Sequence, residues 1–121
     1  MIDTLPAADI GAHYADLSGD LMDMGGFDFL LVYFEYGLVH AIYTETSGMM
    51  GMGEIGVFST PVQRLLAETT YYFRAVADDG TFLHYGGEEI FTTLKPIVVP
   101  VSSLPMIGSI SVPLVRQPNV M

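Results

Sequence analysis

Turn-forming residues interrupt this chain every eight to twelve residues or so, and that rhythm limits the fold more than any other feature. The breaks fall at Gly11, Ser18-Gly19, Gly25-Gly26, Gly37, the stretch SGMMGMGEIG, Pro61, Asp79-Gly80 and Gly86-Gly87. Between them lie short runs rich in Tyr, Phe, Val, Ile and Thr. Evenly spaced short strands with such turns point to an all-β sandwich or barrel. No longer window keeps a helical period without a glycine, apart from one helical turn expected near Val62–Glu68.

Alternation places the strands. Ala12–Ser18 sets His13, Ala15 and Leu17 on one face against Tyr14, Asp16 and Ser18 on the other. Phe29–Tyr36 is apolar on both faces at first. Ala41–Thr46, Ile55–Thr60, Thr69–Ala77 and Glu89–Leu94 follow as strands. In Thr69–Ala77, inward residues at every second position are Tyr71, Phe73, Ala75 and Ala77. Asp78-Asp79-Gly80 supplies the turn after it, with Gly80 free to take positive φ. Leu65 lies in the turn that enters this strand. A leucine there and Tyr71 two residues into the strand fit a tyrosine corner, a buried ring whose hydroxyl bonds upstream backbone.

These residues carry a resemblance. Leu65, Thr69, Tyr71, Phe73 and Ala77 stand where the fibronectin type III and immunoglobulin-like sandwich family has its L-x-x-x-T-x-Y strand. ADLSGDL at Ala15–Leu21 is similar to the family's second strand, VYFEYG at Val32–Gly37 to its third, and FTTL at Phe91–Leu94 to its last. The tryptophan common in the second strand is missing, and Ala67 stands where proline is usual. The resemblance implies a fibronectin type III-like sandwich of about seven strands over residues 1–94. It implies little about function, because this scaffold hosts many roles. Such domains mostly bind proteins or glycans or act as spacers, and in tailed phages they decorate capsids or tails.

Residues 95–121 read differently. KPIVVPVSSLPMIGSISVPLVRQPNVM holds five prolines and only two charged residues, Lys95 and Arg116. Proline is confined to edges and bulges of sheets, and the segment is too apolar for an ordinary solvated tail. It is expected to be an extended arm buried against a partner, with Ile97, Val98, Val99, Val101, Ile107, Ile110, Val112, Leu114 and Val115 as contacts. An arm that adds a strand to a neighbour's open edge gains backbone hydrogen bonds. Folding back onto its own domain is the competing arrangement.

The 14 acidic residues outweigh four basic ones, a formal charge of −10. That excludes nucleic acid as the expected partner, because neutralising phosphate needs Lys and Arg, and disfavours anionic membranes. No stretch of roughly 18 apolar residues occurs, and the first residues show no secretory signal. Cysteine is absent, so there is no disulfide or thiolate chemistry.

Chemistry-bearing residues are sparse. His13, His40 and His84 show no metal-ligand spacing. Asp20, Asp23 and Asp28, with Asp78 and Asp79, offer carboxylates to Ca²⁺, but no D-x-D-x-D-G loop organises them. No G-x-S-x-G is present. No metal, cofactor or catalytic residue is expected. Met49, Met50 and Met52, among glycines too flexible for a rigid strand, read as an adaptable partner-binding loop. Tyr33, Tyr36, Tyr43, Tyr72 and Tyr85 read as an outward stripe.

The expectation is a non-enzymatic virion protein, made in the host cytoplasm, that decorates or cements a capsid or tail as a homo-oligomer through protein contacts. The alternatives are a receptor- or glycan-binding module of an adhesin or tail fibre, using the methionine loop with Phe82 and Tyr85, and a halophilic surface-layer or filament subunit at the cell surface.

Overall fold

The computed structural model describes residues 1–97, and no helix occurs among them. Nine strands run in the order β1 (Ile2–Ala8), β2 (Tyr14–Leu21), β3 (Leu30–Gly37), β4 (Glu45–Thr46), β5 (Met50–Met52), β6 (Gly56–Gln63), β7 (Thr70–Asp78), β8 (Leu83–Tyr85) and β9 (Glu89–Thr92). One sheet has three strands in the order β1-β2-β6. The other has six, with β3 and β7 central, β4 and β5 along the outer side of β3, and β8 and β9 along the far side of β7. All pairings are antiparallel. β4 continues into β5, and β8 into β9, so nine segments make seven sandwich strands.

The core follows from alternation. Ala15, Leu17 and Leu21 of β2 and Phe58 and Val62 of β6 face Val32 and Phe34 of β3 and Tyr71, Phe73, Ala75 and Ala77 of β7, all buried. No tryptophan fills the centre. Phe34 instead sits between Phe58, at 5.3 Å across the sheets, and Phe73, at 6.2 Å. Gly19 makes room for the Phe58 ring, which would lie 2.7 Å from a Cβ placed there.

Tyr71 is buried and stacked on Phe91 at 5.4 Å. Its hydroxyl accepts the Leu66 N–H at 2.8 Å, while Leu65 is buried. The Leu66 carbonyl accepts the Thr93 hydroxyl at 2.6 Å. The turn before β7 is therefore tied both to its own strand and to the end of β9.

Several local expectations change. Val62 and Gln63 complete β6, and the rest of the expected helical turn is loop. Pro61 is not a turn but lies inside β6 opposite Asp16. β6 is the free edge of its sheet, where a missing amide costs least. Ala41–Thr46 is strand only at Glu45–Thr46, because Ala41 takes a left-handed turn with φ 62°. The methionine stretch does form strand: Met50–Met52 pairs with Leu30, Leu31 and Val32. The bend before it is a bulge in which the Ser47 amide donates to the Phe34 carbonyl and the Ser47 hydroxyl accepts the Phe34 amide. The first strand, Ile2–Ala8, has no counterpart in the alternation pattern, since Pro6 falls where its register shifts between Leu5 and Ala8. Val98, Val99, Val101, Ile107, Ile110, Val112, Leu114 and Val115 lie outside the described residues. Ile97 is 91% exposed.

Candidate functional site

The outer face of the six-stranded sheet carries the most organised polar cluster. Register sets Glu35 beside Arg74, Tyr33 beside Val76, and Val76 beside Tyr85. The Arg74 Nε donates to Glu35 Oε1 at 2.9 Å. Its guanidinium lies 3.7 Å from the Tyr85 ring centre and 4.7 Å from that of Tyr43. A cation between two aromatic faces, with its charge answered by a carboxylate, is a rigid platform.

Onto this platform folds the loop between β3 and β4. Its tip is a tight turn in which the Ile42 amide donates to the Val39 carbonyl at 3.0 Å. Gly37 at its base admits no side chain, because a Cβ would lie 2.5 Å from the Ile42 carbonyl oxygen. The left-handed Ala41 is strained, since only glycine and a few short polar residues visit that region freely.

Glu88 holds the strain. Its carboxylate accepts the Ala41 N–H at 2.9 Å and the Tyr43 hydroxyl at 2.7 Å, and bonds the His40 Nδ1. Partial burial raises the Glu88 pKa, but the bonds from Tyr43, Ala41 and His40 outweigh it and hold the carboxyl below its ordinary value. Tyr43 goes the other way: burial, then the Glu88 bond and charge, push its hydroxyl up to about 12. So the pair stays carboxylate and phenol across the neutral range. Glu88 is placed by the gap between β8 and β9, which frees it from the ladder. The clamped tip presents Leu38, Val39 and Ile42, each about half exposed, to solvent.

The remaining sequence candidates fall elsewhere. Tyr36 faces inward, 6.4 Å from Tyr71, so it leaves the outward stripe. Tyr33, Tyr43, Tyr72 and Tyr85 belong to the outer face. Met50 and Met52 are half-buried against the core, and of the three loop methionines Met49 is the exposed one. Phe82 is exposed at the opposite end of the sheet. The histidines are separate: His13 bonds the Leu65 carbonyl, His40 bonds Glu88 and His84 bonds Asp79. No group of three metal-ligating side chains occurs among the described residues. Asp23 and Asp78 each cap a glycine amide, and Asp20 lies on β2 opposite Asp3.

Sequence reasoning missed the Glu88 clamp. Its partners lie 45 to 48 residues away, and no local pattern marks them. A glycine pair followed by two glutamates, Gly86-Gly87-Glu88-Glu89, was the available signal.

No protein-family model matches the chain, and no curated protein matches it in sequence. Solved structures do. The sensor domain of the anti-sigma factor RsgI4 from Pseudobacteroides cellulosolvens superposes with a TM-score of 0.65 at 20% identity, covering 78% of this chain and 93% of that one. A solution structure of the same sensor domain gives 0.64 at 19% identity, covering 91% and 93%. A fibronectin type III domain of human KIAA0970 protein gives 0.58 at 16% identity, covering 80% and 77%. At such identities the likeness concerns the fold alone. The chain folds as a fibronectin type III-like, immunoglobulin-like β-sandwich.

Proposed function

We propose that this chain is a non-enzymatic structural module that acts through protein–protein contacts, decorating or cementing a larger assembly such as a phage capsid or tail. The clamped loop of residues 38–44 carries the reading. A strained turn held by a buffered carboxylate, with three aliphatic side chains aimed at water, gains nothing for the isolated domain. Covered by a partner it gains apolar burial, and being already ordered it loses little entropy on binding.

The formal charge of −10 favours a partner with a basic rim around an apolar pocket. The apolar arm at 95–121 is the proposed second contact, and repeated copies on a lattice multiply weak contacts through avidity. The solved neighbours share the fold and leave the role open: one is a sensor domain in its own protein, and the fibronectin type III scaffold hosts many functions.

Mass spectrometry of purified particles, comparing the native chain with a Val39→Asp, Ile42→Asp variant, tests the proposal. The native chain is expected in particles at stoichiometric abundance and the variant is expected to be lost from them. A folded variant incorporated as well as the native chain overturns the role of the loop. Absence of the native chain from particles, together with a monomer in sedimentation at high concentration, overturns the structural role.

A further inference from the structure

A cleft of about 440 Å³ opens at the end of the sandwich where β3 ends, β4 begins and β6 ends. Its size falls in the range of small-molecule sites, roughly 300–1,000 Å³. Tyr36, Leu38 and Glu45 wall it from the six-stranded sheet, and Gln63, Arg64 and Leu65 from the end of β6. It is separate from the Arg74 platform, although the loop of residues 38–44 borders both.

Three of its polar side chains are unspent, while the Tyr71 hydroxyl is taken by the Leu66 amide. Arg74 is answered by Glu35, but neither Arg64 nor Glu45 forms an ion pair among the described residues. Arg64, which lines the cleft, adopts φ 60°, a strained conformation for arginine. The Tyr36 hydroxyl has no hydrogen-bond partner among the described residues. Burial, then the nearby Glu45 charge, raises its pKa, which keeps it a donor.

The two walls choose the ligand. A simple anion meets Glu45 and the field of a chain carrying −10, and a simple cation meets Arg64. A molecule bearing both charges satisfies both walls, while Leu38, Leu65 and the Tyr36 ring offer apolar surface to its body. We propose that this cleft binds a small zwitterion of the amino-acid class, a free apolar amino acid or a dipeptide, with its ammonium on Glu45 and its carboxylate on Arg64. The site is independent of the assembly role argued above.

NMR titration of the full chain with phenylalanine, the dipeptide leucyl-phenylalanine, N-acetylphenylalanine and phenylalanine amide tests it. Phenylalanine or the dipeptide is expected to move the amides of Gly37, Leu38, Gln63 and Leu65 saturably, and the tighter of the two identifies the source. Blocking either charge is expected to weaken binding about tenfold or more, the worth of one charged hydrogen bond. Glu45→Gln and Arg64→Asn should each do the same, asparagine being chosen because it tolerates the left-handed backbone. Dispersed spectra of the variants separate lost binding from lost folding. No saturable shift with any probe, equal binding of the charge-blocked analogues, or binding unchanged in both folded variants overturns the assignment.

Discussion

At the scale of single residues, one hydroxyl organises the turn into β7. Tyr71 packs its ring in the core and gives its oxygen to the Leu66 amide. Tyr71→Phe keeps the ring and orphans that amide, so urea unfolding is expected to show a loss of about 1–3 kcal/mol. A second residue predicts a pH response. Hydrogen bonds from the Phe82 amide, the His84 ring and the Thr81 amide hold Asp79 at about 2, below its ordinary 3.8. A depressed folded pKa means that the contribution is whole above about 3.8 and is lost as pH falls toward 2. The Thr81 and Phe82 amide resonances should report that loss in acid. Asp79→Asn should lower Tm at neutral pH and flatten the acid step.

At the scale of elements, the edges share a design. β1 shifts register around Pro6, β6 carries the amide-less Pro61 within a continuous ladder, the β4–β5 strand is bent by the Ser47 bulge, and the β8–β9 strand breaks at Gly86–Glu88. Every free edge of the two sheets is thus broken or blunted, which hinders edge-to-edge aggregation. The last break has a specific cause. β1 crosses there, and the Thr4 hydroxyl accepts the buried Ala75 amide at 2.9 Å in place of a ladder partner. Gly86 lies against it: a Cβ would sit 2.5 Å from Thr4 Oγ1 and 2.8 Å from Thr4 N. Gly86→Ala is expected to destabilise by about 1–3 kcal/mol through overpacking, with faster hydrogen exchange at Ala75. Gly87→Ala, with open space around its Cβ, should stay within about 0.5 kcal/mol.

For the whole molecule, charge is the dominant long-range term. A chain at −10 repels itself, and few of its carboxylates are paired. Tm is therefore expected to rise between low and physiological ionic strength as screening shortens the Debye length from about 30 Å to about 8 Å. A flat or falling Tm would show that local pairs, such as Arg74 with Glu35, outweigh the global repulsion. The same charge bears on assembly. Copies meet most readily where a carboxylate is already engaged, and at the tip of residues 38–42 Glu88 is bonded to Ala41, Tyr43 and His40.

Alternation and turn chemistry were enough to settle the class of the fold and the heart of its core. Period-two alternation in β2 and β7 commits Ala15, Leu17, Tyr71 and Phe73 to one face wherever those strands are put, because successive side chains on a strand must point opposite ways. Turn residues then divided much of the chain at nearly the right places, but Ser18-Gly19 runs inside β2 and Pro61 inside β6, where pairing with each other's strand overrides the turn signal. Tertiary structure alone decided the rest. Ile2–Ala8 is strand because β2 offers it a partner. Met50–Met52 is strand because β3 does, and glycine's flexibility yields to those hydrogen bonds. The Glu88 clamp and the Arg64–Glu45 cleft join residues far apart in the chain. Their geometry comes from strand register and sheet packing, which are long-range properties that no local run of residues encodes.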